Sequence, residues 1–132
     1  MRLRPTLWVA ALLGTALLTA FCGGGGDDDS SGDGGRASGV AGVPDGAPFI
    51  NQDNLKFSPS KLTVSKNEKV YFKNSETAVH TVTIEGKNES GTMKKDDIFI
   101  WTPPGTGEFK VTCDFHPQMR ATINVEDSVP AN

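Results

Sequence analysis

The chain has 132 residues, two cysteines, two histidines and a formal net charge of −3, enough for one domain with flanking sequence. The acidity is local: residues 22–47 carry five aspartates against Arg36, whereas residues 48–127 carry eleven acids against ten bases. No stripe of Lys and Arg is present to hold nucleic acid, and the near-neutral part must be the part that folds.

Residues 1–21 read as an export signal. Arg2 and Arg4 precede an apolar run, Leu7–Leu18, of twelve residues; that length fits a signal core and is short for a spanning helix. An uncleaved membrane anchor is the alternative, and no second apolar run follows. Cys22 comes next, in Leu18-Thr19-Ala20-Phe21-Cys22. This stretch resembles the lipobox of bacterial lipoproteins, although Phe21 and Thr19 depart from the usual residues there. The resemblance implies lipid attachment at Cys22 and a periplasmic or cell-surface protein held to the membrane by its N-terminus alone. A Cys22–Cys113 disulfide, or cleavage that leaves Cys22 lost or free, are the other readings.

Residues 22–47 are rich in Gly, Asp and Ser and cannot bury enough apolar surface to offset the entropy of ordering. They are expected to form a flexible tether, serving either reach or simple clearance from the membrane. From Pro48 the pattern changes to short runs of period two between turn residues, which is an all-β signature. Strands are predicted over Leu55–Phe57, Leu62–Val64, Lys69–Lys73, His80–Glu85, Ile98–Trp101, Glu108–Cys113 and Arg120–Val125, with turns at Ser58-Pro59, Lys66-Asn67, Gly86-Lys87-Asn88 and Pro103-Pro104-Gly105. Glu89–Lys95 reads as a short turn or helix, Lys94–Asp97 as a solvated turn, and Trp101 as core. Seven short strands in about 80 residues imply a small β-sandwich of about seven to eight strands over 48–127, followed by a tail at 128–132. A domain of this size buries only about 60–65 % of its unfolded surface, so a metal held by several side chains would stabilise it.

One loop stands apart: Cys113-Asp114-Phe115-His116-Pro117-Gln118-Met119. A thiol, an imidazole and a thioether sit three residues apart in a Pro-stiffened turn between two predicted strands. Period two puts Phe109, Val111 and Cys113 on one face, and Met119, Ala121, Ile123 and Val125 on another. The same rule groups His80, Val82 and Ile84 against Thr81, Thr83 and Glu85. Three strands would then each present one ligand at the end of an apolar face, with His116 supplied by the loop. Each residue alone is most simply core. Together, His80, Cys113, His116 and Met119 form a metal-ligand set, and thiolate with thioether selects copper. Zinc does not ordinarily take Met, and a dinuclear copper centre would need a second Cys.

At these residues the chain resembles the cupredoxin (type I blue-copper) family, in its plastocyanin and amicyanin branch. The resemblance covers roughly Pro48–Asp127 and rests on Lys69–Asn74, Ala78–Val82, Pro104–Phe109 and the Cys-x2-His-Pro-x-Met loop. It implies a Greek-key β-sandwich, one copper with His80, Cys113 and His116 as strong ligands and Met119 as the long axial one, and one-electron exchange with extracytoplasmic redox partner proteins. It departs at Thr81, where the family often has an Asn that braces the Cys loop; Thr81 either does the same through its hydroxyl or leaves the loop looser. Asn74 is a further candidate for bracing. Phe115 either joins Pro117 in an apolar docking patch beside His116 or packs over the loop. With two histidines in the chain, the additional copper site of an oxidase or nitrite reductase cannot be built, so no enzyme activity is expected. A copper carrier without redox cycling is the competing function, and no oligomerisation signal displaces the expectation of a monomer.

Overall fold

The computed structural model describes residues 35–129, and every regular element among them is a strand. The nine strands are β1 (Phe49–Asp53), β2 (Lys56–Ser58), β3 (Lys61–Ser65), β4 (Val70–Asn74), β5 (Thr83–Ile84), β6 (Lys87–Asn88), β7 (Ile98–Trp101), β8 (Gly107–Thr112) and β9 (Arg120–Glu126). They form two sheets, ordered β2-β1-β4-β7 and β3-β9-β8-β5-β6. Pairings β1–β4 and β3–β9 are parallel and the remainder antiparallel, so the chain crosses between sheets rather than meandering.

The alternation in each strand decides what lies between the sheets. Ile50, Val70, Phe72 and Trp101 come from one layer, and Leu62, Val64, Val111, Ile123 and Val125 from the other, all buried. Trp101 meets Phe109 edge to face at 5.2 Å between ring centroids and 70° between planes, the geometry the ring quadrupoles favour. Trp101 is core, as its pattern predicts.

Two strands escaped the sequence pattern. In β1 the inward positions are Ile50 and Gln52, both fully buried, and a polar inward residue hides the period. In β6 the expected turn Gly86-Lys87-Asn88 is shifted: Glu85 and Gly86 carry the positive φ values of 50° and 81°, and Lys87 and Asn88 pair with Ile84 and Thr83. Such paired left-handed residues match the twist of a two-residue hairpin. The β1–β2 turn works the same way, with Asn54 and Leu55 at φ 53° and 55°; Leu55, predicted as the start of a strand, is therefore in the turn. Glu89–Lys95 forms no helix.

The stretch expected to be tether, 22–47, is divided. Residues 35–47 pack on the sandwich: Ala37 and Val43 are buried, Arg36 bridges to Pro48, and the Ala37 and Gly46 N–H groups donate to the carbonyls of Ala47 and Ala37 at 2.8 Å each. Arg36 also pairs with Glu68, and Lys73 Nζ donates to the Ala41 carbonyl at 3.2 Å. Composition hid this because the segment is held by backbone hydrogen bonds and two small apolar side chains, not by an apolar face. Residues 1–21, expected to be an export signal, Cys22 and residues 23–34 lie outside the described residues, as do 130–132.

Candidate metal centre

Strands β8 and β9 run antiparallel from Gly107↔Val125 to Thr112↔Arg120, and the seven-residue loop Cys113–Met119 joins their ends. Cys113 is buried and Met119 fully so, which continues the inward faces of the two strands. The Met119 N–H donates to the His116 carbonyl at 2.9 Å, closing the turn beneath His116. This hydrogen bond and Pro117 fix where the imidazole points: its Nδ1 lies 3.7 Å from Cys113 Sγ.

His80 arrives from across the same pole. Its N–H donates to the Met93 carbonyl at 3.0 Å, and the Met93 N–H donates back to His80 at 2.7 Å, an isolated antiparallel bridge rather than a continuation of β5. The predicted strand His80–Glu85 is thus cut to Thr83–Ile84. The reason is local: the Thr81 N–H donates to Cys113 Sγ at 3.4 Å and the Val82 N–H to Ser90 Oγ at 2.7 Å, so both amides are taken by side chains. The alternation also fails here, because Thr81 and Thr83 are buried along with His80, Val82 and Ile84. The Cys113 loop covers the face that the threonines occupy. The Asp114 N–H donates to Thr81 Oγ1 at 2.8 Å, so Thr81 braces the loop through its hydroxyl.

His80 Nδ1 lies 3.1 Å from His116 Nδ1 and 3.8 Å from Cys113 Sγ. With the His116–Cys113 separation of 3.7 Å these three atoms form a nearly regular triangle. The point equidistant from them in their plane is about 2.1 Å from each, the length of a metal–nitrogen or metal–sulfur bond, ~2.0–2.3 Å. His80 Nε2 faces Glu76 Oε1 at 2.8 Å; opposite a carboxylate acceptor it carries the proton, and the Nδ1 lone pair is directed at the triangle. Two nitrogens and a sulfur turned toward one point are electron-rich, and a single shared proton would serve only two of them. A cation at the centre satisfies all three. His80, Cys113 and His116 are brought together in this way, with Met119 buried at the base of the loop.

The polar frame of the site includes one residue the sequence did not reveal. Glu76 Oε1 accepts from the Leu55 N–H at 2.9 Å as well as from His80. The Leu55 hydrogen bond, the His80 hydrogen bond and the nearby His80 and His116 rings outweigh partial burial and hold its carboxyl below the usual carboxylate range. A carboxylate four residues before a histidine was the one available signal, and outside a helix that spacing has no fixed geometry. Asn74 supports the same region one step removed. Its Nδ2 donates to the Ala78 carbonyl at 2.7 Å and the Met93 carbonyl at 3.1 Å, and its Oδ1 accepts from the Glu76 N–H at 2.9 Å. It secures the backbone on both sides of His80.

A family model described as the cupredoxin-like domain matches residues 49–125. The chain belongs to this family. Among curated proteins it is similar to amicyanin from Paracoccus versutus, at 28% identity over 93 residues, 66% of this chain and 70% of that protein. The crystal structure of Paracoccus versutus amicyanin superimposes with a TM-score of 0.60 at 28% identity, covering 65% of this chain and 87% of the other. A reduced Cu(I) form of an amicyanin variant at pH 4 gives a TM-score of 0.58 at 28% identity, over 65% and 88%. The two-sheet architecture of this cupredoxin is therefore the shared part. The family match begins at Phe49, so the packed segment 35–47 lies before it.

Proposed function

We propose that this cupredoxin is a one-electron carrier that uses a single type I copper held by His80, Cys113, His116 and Met119. The observation that carries the reading is the convergence of two Nδ1 atoms and one Sγ within 3.1–3.8 Å of one another, on strand ends fixed by the sandwich. Bound copper supplies the Cu(II)/Cu(I) couple and makes or breaks no substrate bond. The protein's part is to keep its donors still between the two oxidation states: His80 by Glu76 and the Met93 bridge, Cys113 by the Thr81 N–H, and Met119 by its hydrogen bond to His116. His80 is fully buried, whereas His116 is half-buried with Phe115 50% exposed and Pro117 exposed beside it. Electrons would pass through the His116 ring edge to redox partner proteins docked on this apolar rim.

The test is a Cu(II) titration of the chain, followed in the visible spectrum. An intense thiolate-to-copper band that saturates at one copper per chain and disappears and returns on reduction and reoxidation is expected. Colourless binding that a chelator readily strips would replace this reading with a copper carrier. Three buried ligands, His80, Cys113 and Met119, argue against that alternative, because release requires opening the loop.

Glu76 offers a second check. Glu76→Gln keeps the shape and removes the charge behind His80, and should weaken Cu(II) affinity by about tenfold; Glu76→Ala, which removes the acceptor too, should approach about 100-fold. Competition against a chelator of known affinity measures both, and unchanged affinity in the pair would remove Glu76 from the account.

We also propose export and lipid attachment at Cys22, resting on Arg2, Arg4, the run Leu7–Leu18 and the lipobox-like stretch before Cys22. Incorporation of labelled palmitate by the chain, lost in Cys22→Ala, is the expected result; equal labelling of both would reject it.

A further inference from the structure

Asp114 follows Cys113 directly, and both of its carboxylate oxygens have partners. Oδ1 accepts from the Thr83 hydroxyl at 2.6 Å and Oδ2 from Asn88 Nδ2 at 2.8 Å. Its own N–H donates to Thr81 Oγ1 at 2.8 Å, and the Thr81 and Thr83 hydroxyls lie 3.3 Å apart. The proton directions are forced. Thr83 must donate to the carboxylate, so its oxygen is free to accept from Thr81, whose oxygen accepts from the Asp114 amide. The three bonds run head to tail around a ring closed through Asp114, an arrangement in which each bond polarises the next. Asn88 Oδ1 in turn accepts from the Gly91 N–H at 2.8 Å, which ties the carboxylate to the β5–β6 hairpin. Thr81, the member of the ring nearest the site, also donates its N–H to Cys113 Sγ.

We propose that Asp114, clamped by Thr83 and Asn88, is a positioning residue that fixes the Cys113 sulfur and holds a negative charge one residue from it, lowering the reduction potential of the centre. The inference rests on the copper reading above. It also gives β6 a role: the two-residue strand has no apolar face to bury, both its residues being exposed, and Asn88 is its contribution. A fixed carboxylate close to a metal favours the more highly charged oxidation state by Coulomb attraction, which solvent at the exposed Asp114 reduces but does not remove. A clamped loop also resists the drift of the sulfur that a change of oxidation state would otherwise cause.

The test uses the full chain and three variants. In the copper-loaded protein Asp114→Asn should raise the potential, by roughly a tenfold change in the equilibrium constant with a fixed one-electron couple, about 59 mV. Thr83→Val keeps the charge and breaks the ring. In the metal-free protein it should speed amide hydrogen exchange at Asp114 by about tenfold or more, and Thr83→Ser should restore the slow rate. A merely structural role would lower thermal stability without moving the potential. An unchanged potential in Asp114→Asn, or an unchanged Asp114 exchange rate in Thr83→Val, overturns the proposal. A wild-type protein without a thiolate–copper band would refute the copper reading instead, and the metal-free exchange rates would still judge the clamp separately.

Discussion

Cys113→Ser should abolish the thiolate-to-copper band and lower Cu(II) affinity by at least about 100-fold, which is the upper range already seen when only an outer partner of a metal ligand is lost. The physical reason is donor chemistry rather than space. A thiolate is a soft, polarisable anion suited to copper in both oxidation states. A serine hydroxyl stays protonated in the neutral range and offers a hard, neutral oxygen in its place. The substitution is close to isosteric, and the hydroxyl can still accept from the Thr81 N–H that now points at Cys113 Sγ. The metal-free variant should therefore fold, with a stability within about 2 kcal/mol of the parent. That separates loss of the ligand from loss of the protein. Near-identical unfolding curves for the two metal-free proteins, together with a missing band in the variant, are the expected pair of results. A variant that keeps an intense band would mean that Cys113 is not the copper thiolate.

How much of this was legible beforehand depends on the distance between cause and consequence along the chain. Cys113, His116 and Met119 lie within seven residues, and the flanking periods of β8 and β9 stated which way the first and last must face. His80 was placed by the same rule, and the rule gave the right direction for an incomplete reason. The segment His80–Glu85 is not one strand but a bridge, two amides taken by side chains, and a two-residue hairpin arm. What the period cannot express is a residue whose backbone partner is a side chain, as Thr81 has in Cys113 and Val82 in Ser90. The burial of Thr81 and Thr83 was invisible for the same reason, because Asp114 of the loop that covers them is 33 and 31 residues further on. Glu76 and Gln52 illustrate another limit. Each is a polar residue whose value depends on a contact the strand period does not express, Glu76 to His80 four residues on and Gln52 to Met93 Sδ at 3.5 Å, and local patterning treats both as noise. In residues 35–47 a Gly- and Ser-containing composition correctly signals little apolar content, but Arg36, Ala37 and Val43 are enough to dock the segment once β1 and β4 exist to receive it.

Phe72→Ala should be the most damaging single truncation in the core, and copper should largely reverse it. Phe72 is fully buried on β4, between β1 and β7, with its ring 6.1 Å from that of Phe99. Replacing a buried Phe by Ala costs about 3–5 kcal/mol, from lost transfer free energy and from the cavity left behind. Small domains are stable by only about 5–15 kcal/mol in total, so the metal-free variant should sit near its unfolding midpoint at modest denaturant. Cys113, His116 and Met119 stand between β8 and β9, in the opposite sheet, and Asn74, which secures the backbone beside His80 from the end of β4, keeps its own hydrogen bonds in the variant. The site in the surviving folded molecules should therefore be intact. A ligand that binds the folded state alone stabilises it by mass action, by about 4 kcal/mol at a thousand times its dissociation constant, which is of the same size as the loss. The copper-saturated variant should then unfold near the midpoint of the metal-free parent, while the gap between variant and parent should persist when both are loaded, because an intact site stabilises both by the same amount. A loss below about 1 kcal/mol in the metal-free variant would deny Phe72 its place in the core. A midpoint that copper does not move would deny that the folded state alone assembles the site, because a site present only in the folded sandwich cannot bind without stabilising it.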